Sequence, residues 1–260
     1  MQKLSVMDPS LWGLRSTTII AAMLLSGLGL GAEAQTSPPP STLSWNGDPS
    51  APNISGVWVR SDVTGASKEG WQPWPPPLKG TFAAIWKKRV LEQAAGKRSD
   101  DPVRGCLPPG MPRLMSGTNG PLLIIQSQGR VTLYRDGDPV RRVWLDGRKN
   151  PEPRELEEFS NGNAIGHYEG QELVTEVIGF KDYPIDSTGV PHSNQLKIVE
   201  RFQRVDEKTL KVDITLTDKL AYGKPMKTTV TYKAYGDPLW EPREFICTPV
   251  SGYHPDMYVR

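Results

Sequence analysis

Four side chains able to carry charge or a proton fall at strand-like spacing in the second half of the chain: Glu176, Glu200, Arg142 and Tyr232. Glu176 stands in Glu172-Leu173-Val174-Thr175-Glu176-Val177-Ile178 and Glu200 in Leu196-Lys197-Ile198-Val199-Glu200-Arg201-Phe202, so each carboxylate has apolar neighbours. A carboxylate taken out of water without partners shifts its pKa or finds a cation. Two in one apolar pocket repel, which raises the pKa of one and separates an acid from a base. With Arg142 stabilising negative charge and His192 or Tyr232 assisting, such a pair suits cofactor-independent lyase, isomerase or hydratase chemistry. An Arg-Glu network that only fills the interior uses the same residues and is the competing reading.

Around these lie candidate ligand contacts: His167, Tyr168 and Glu169 within 166–170, Ser193 beside His192, and Trp144. A loop histidine can act as a base near neutrality, although each of these positions also suits an ordinary turn or strand start. The three histidines, His167, His192 and His254, show no metal-ligand spacing, so no metal site is expected. The chain also lacks a G-x-S-x-G elbow and a Gly-rich phosphate loop, which leaves a serine hydrolase or a phosphate-bearing cofactor without support.

The elements that must hold these residues are mostly strands. The stretches 122–126, 130–135, 139–145, 172–180, 195–204, 209–217 and 226–235 alternate or run apolar between Gly, Pro, Asp and Asn, and 166–170 reads as a turn feeding the Glu176 strand. The one convincing helix is 81–95, with Thr81 near its start and Gly96 after its end. Many short strands and one short N-terminal helix predict a mainly β fold, an antiparallel, lipocalin-like barrel. In 195–204, Leu196, Ile198, Glu200 and Phe202 share a face, so Glu200 is expected inside. In 226–235 the expected inward set is Met226, Thr228, Val230 and Tyr232, and in 139–145 it is Val140, Arg142 and Trp144. The stretch 209–217 divides cleanly into apolar and polar faces and serves as the control.

Ahead of these elements, Lys3 and Arg15 precede an apolar run ending at Ala32-Glu33-Ala34, the pattern of a cleaved secretory leader. The expected organisation is a leader over 1–34, a Ser/Thr/Pro-rich linker over 35–52 and one β-barrel domain over 53–260, periplasmic or secreted, with no membrane span. The formal net charge is +2 and the basic residues form no long stripe, so nucleic acid is not an expected partner. Cys106 and Cys247 both follow the leader, and an oxidising compartment favours their pairing, with a reactive thiol as the alternative.

The chain resembles a large group of exported bacterial proteins of mostly uncharacterised function. The shared signatures are Cys-x-Pro-Pro-Gly-x-Pro over 106–112, Asp146-Gly147-Arg148, Gly-x-aromatic-Glu-Gly opening 166–174, Pro191-His192-Ser193 and Glu200-Arg201-Phe202. Glu176 stands where that group usually has Asp, and Tyr168 where it usually has Trp. The resemblance extends to lipocalin-like barrels through Gly56-Val57-Trp58, and implies fold and site positions rather than a reaction. Two main functions stay open: an exported barrel acting on a small, partly apolar, aromatic or terpenoid molecule, or a non-catalytic periplasmic binding or carrier protein. A side-chain-filled structural envelope protein is the third.

Overall fold

Strict alternation is the dominant local signal in this chain, and it closes a ring. The computed structural model describes residues 51–64, 70–97, 100–117, 120–135, 137–152, 155–237 and 240–242, all within one compact unit, Pro38–Arg260. In chain order the elements are β1 (Gly56–Thr64), α1 (Gly80–Ala94), α2 (Arg113–Ser116), β2 (Leu122–Ser127), β3 (Arg130–Arg135), β4 (Arg141–Trp144), β5 (Asn163–Glu169), β6 (Glu172–Ile178), β7 (Lys197–Asp206), β8 (Thr209–Thr217) and β9 (Met226–Ala234). Neighbours in sequence are neighbours in the sheet and β9 returns to β1, giving a closed nine-stranded barrel. The leader, the linker as far as residue 50, and Cys247 lie outside the described residues. Among the described residues no helix is long and apolar enough to cross a membrane.

A closed ring with an odd number of strands cannot alternate direction all the way round, so one neighbouring pair must be parallel. That pair is β4 and β5, registered only at Val143↔Ala164 and Trp144↔Ile165. This corrects the all-antiparallel expectation. A parallel pair needs a long crossover, and residues 145–162 supply it. The strand that returns, β5, includes the stretch expected to be a turn. Gly166 is required there because a Cβ would stand 2.9 Å from Val143 Cγ1 and from the Val174 carbonyl. The true turn comes later: Glu169 pairs with Glu172, and Gly170 takes φ 58 between them.

The barrel interior follows from the alternation. Leu210, Val212, Ile214 and Leu216 of β8 are buried, as are Ile198, Glu200 and Phe202 of β7 and Met226, Thr228, Val230 and Tyr232 of β9. The short helix α2 packs its Leu114 and Met115 into the same core. Its last carbonyls have no partners within the helix, and the barrel supplies donors for them. Tyr232 donates to the Met115 carbonyl, Arg60 to that of Ser116, and Arg135 Nη1 to that of Gly117 at 2.8 Å. Helix α1 lies outside, buries no residue fully, and docks through Trp86 Nε1 to Thr188 Oγ1 at 3.1 Å and Arg89 Nη1 to the Gly189 carbonyl at 3.1 Å.

Removing the Tyr232 hydroxyl leaves the Met115 carbonyl buried and unmet, so Tyr232→Phe is expected to lower unfolding free energy by about 1–3 kcal/mol. Urea denaturation measures this.

Candidate functional site

Glu200 points into the barrel because it shares a face with Ile198 and Phe202, and it is completely buried. Arg141, reaching across from β4, meets it with two bonds: Nη1 to Oε1 at 3.0 Å and Nη2 to Oε2. Thr175 of β6 donates its hydroxyl to Glu200 Oε2 at 2.6 Å. A bidentate guanidinium and a hydroxyl satisfy this carboxylate geometrically. It is held, not presented.

The other members of the expected acid/base group do not join it. Glu176 pairs in register with Val199, whereas Thr175 pairs with Glu200, so Thr175 faces in and Glu176 faces out. There Glu176 bonds Lys197 Nζ at 3.1 Å and Asn150 Nδ2 at 3.2 Å. Both faces of β6 carry apolar residues, with Val174 nearly as buried as Leu173 and Val177, so alternation alone did not choose between them. Arg142 is exposed and its neighbour Arg141 takes the interior position. Leu133 pairs with Arg141 and Thr132 with Arg142, which places Arg141 on the buried face with Leu133. Trp144 also lies outside, with Arg130 and Arg148 guanidinium carbons 5.7 and 3.9 Å from its ring centre.

Tyr232 is inside as expected, but as an anchor. Burial pushes its hydroxyl up to about 12, with Glu200 adding to the rise and Arg135 and Arg60 opposing it. That suits a donor to the Met115 carbonyl rather than a base near neutrality. Both ring nitrogens of buried His192 face carbonyls, Nδ1 that of Ser193 at 2.8 Å and Nε2 that of Lys181 at 3.2 Å. Ser193 caps the loop before β9 through Asp218, its hydroxyl to Oδ1 at 2.8 Å and its N–H to Oδ2 at 2.6 Å. Tyr168 faces inward and accepts from Gln126 Nε2 at 2.8 Å. His167 and Glu169 are exposed and 2.9 Å apart. Hydrogen bonds from Arg201, then from His167, hold Glu169 below the usual carboxylate range.

A different site opens at the parallel seam. Beside the two register pairs of β4 and β5 lies a cleft of about 550 Å³. Its walls include Arg141, Arg142, Trp144, Arg148, Phe159, Asn161 and Tyr183. Asp146 holds Arg148 over the Trp144 ring, with Arg148 Nε 2.9 Å from Oδ1 and 3.0 Å from Oδ2. The Asp-Gly-Arg turn thus builds one wall. Arg141 Nε, Asn150 Oδ1 and Asn161 Oδ1 are buried beneath these walls without a protein partner among the described residues. An adjoining groove of about 350 Å³, lined by Arg148, Ile165, His167 and Glu176, shares its first two residues with the cleft. Neither Glu200 nor Tyr232 lines these spaces.

Of the expected residues, Trp144 and Arg142 meet at the cleft and Glu176 and His167 at the groove beside it. Reading from sequence missed Arg141, Phe159, Asn161 and Tyr183, and it saw Arg148 only as part of a signature. The adjacent Arg141-Arg142 pair guarantees one arginine on each face of β4, which is the signal available. Among the described residues no group of three His, Cys, Asp or Glu could hold a metal ion. Cys106 is not a free thiol, while Cys247 lies outside the described residues. Comparison with known protein families, curated proteins and solved structures finds no match to this chain.

A further buried carboxylate, Asp138, sits in the β3–β4 turn, with Oδ1 unmet by protein. Burial pushes it up from 3.8 to about 7, against the pull of Arg135 and Arg113. Between these values the unfolded chain has released the proton and the folded chain still holds it. Asp138 therefore favours folding most below 3.8, and its contribution is lost as pH rises toward about 7. Asp138→Asn is expected to flatten that slope and to raise stability at neutral pH, read from melting temperature against pH.

The two glutamates are separable by stability. Glu200→Gln leaves buried Arg141 without its counter-charge and should cost about 3–5 kcal/mol, with the double change Glu200→Leu and Arg141→Leu recovering most of it. Glu176→Gln, at an exposed pair, should cost less than about 1 kcal/mol. Denaturation in urea reads both.

Proposed function

We propose that the chain is an exported binding or carrier protein for a small, partly apolar molecule, held in the cleft between β4, β5 and the crossover. The observation that carries this reading is the cleft of about 550 Å³ walled by Trp144, Phe159 and Tyr183. Small-molecule sites commonly enclose about 300–1,000 Å³, are largely aromatic and apolar, and converge a few polar groups. Here those groups are the exposed cations Arg142, Lys149 and Lys181. The expected acid/base pair gives no competing site, because Glu200 is bound on both oxygens and Glu176 is on the other face.

Export and a Cys106 to Cys247 disulfide belong to the same proposal, supported by the leader pattern and by the absence of a free thiol at Cys106. Kinship with lipocalin-like barrels and with the group of exported bacterial proteins is also proposed. The closed barrel supports the first. The structural roles of the signature residues support the second, since Ser193 binds Asp218, Asp146 binds Arg148, and Glu200 binds Arg141.

One observation favours acid/base chemistry as a second reading: Glu176 and His167 line the groove that adjoins the cleft. Lyase or isomerase activity there depends on Glu176 and not on Glu200.

Native mass spectrometry of the chain mixed with a library of small aromatic and terpenoid molecules tests the first reading. A retained molecule should bind at least about tenfold more weakly to Trp144→Ala, the loss of one aromatic wall. Retention indifferent to Trp144→Ala would overturn the cleft as the site. Turnover of any retained molecule, lost in Glu176→Gln at unchanged melting temperature, would establish the second reading instead.

A further inference from the structure

We infer that the cleft selects an anionic aromatic molecule, of the class of aromatic carboxylates; this rests on the binding reading above. The charge of the walls is one-sided. Arg141, Arg142, Arg148, Lys149 and Lys181 are among the residues that line the cleft, and among the described residues no Asp or Glu does. Glu200 neutralises Arg141 and Asp146 neutralises Arg148. Arg142, Lys149 and Lys181 make no ion pair among the described residues, which leaves the cleft with net positive charge. The crossover's own glutamates, Glu152, Glu155, Glu157 and Glu158, are exposed and contribute nothing to its walls. A cleft with walls of one sign concentrates ions of the other, and low-dielectric sides strengthen the effect.

The aromatic requirement comes from the same walls. Phe159 is 43% exposed although it is large and apolar, and it shares the lining with Trp144 and Tyr183. A flat apolar body covers such side chains at little entropic cost.

The experiment measures affinity of the full chain for two probes by isothermal titration: 2-naphthoate and its neutral amide, 2-naphthamide. The acid is expected to bind about tenfold or more tightly than the amide. The double variant Arg142→Ala with Lys149→Ala, both exposed, should weaken the acid about tenfold and leave the amide unchanged, at an unaltered melting temperature. Equal affinity for acid and amide, both weakened by Trp144→Ala, would overturn the anionic class while leaving the cleft as the site. Binding of neither at millimolar concentration would overturn the aromatic acid class, and binding untouched by Trp144→Ala would overturn the cleft itself.

Discussion

The contact between Arg141 and Glu200 fixes most of what is distinctive in this barrel. Arg141 belongs to β4, the four-residue strand beside the parallel seam, and Glu200 to β7. Around them the barrel interior is mostly apolar, with Gln126, Arg135, Thr175 and Thr228 among its buried polar side chains. A charge in such surroundings is tolerable only with its partner in place, so the pair holds β4 in one register against a strand three places away. A shift by one residue would bury Arg142 and expose Arg141. The same register keeps Trp144 and Arg142 on the outside, where the cleft is.

Topology and site are linked through strand number. Nine strands force one parallel seam, and a parallel seam forces a long crossover. The crossover makes one wall of the cleft, β4 and β5 the other. Asp146 ties the start of the crossover to the barrel by laying Arg148 on Trp144, and Asn161 ties its end by donating to the Pro139 carbonyl. Close approach of β5 to β4 depends on Gly166, where any side chain would collide with Val143. An all-antiparallel barrel of eight strands would need no such segment and would have no cleft at this place.

The interior of β7, β8 and β9 was legible because each strand has one continuous apolar face. Glu200 is recognisable as an inward residue from Leu196, Ile198 and Phe202 beside it. The errors fall where alternation carries no contrast. Glu176 sits on a strand whose two faces are both apolar, because Val174 is covered on the outside. β4 offers an arginine on either face, and Trp144 biased the choice toward the face that carries it. The partners of Tyr232 and His192 were not legible, since they are carbonyls of segments distant in sequence, Met115 and Lys181. The parallel seam itself is a non-local pairing with no local signature. Phe159 and Asn161 were invisible as site residues for that reason, standing in a stretch that reads only as loop.

On the proposed reading, a small molecule binds in the outer cleft and not inside the barrel. A crystal structure of the chain grown with 2-naphthoate tests this directly. Density for the ring against Trp144 and Phe159, with its acid toward Arg142 and Lys149, is the expected result. Density for the probe inside the barrel, with the Arg141 to Glu200 contact opened to admit it, would contradict it.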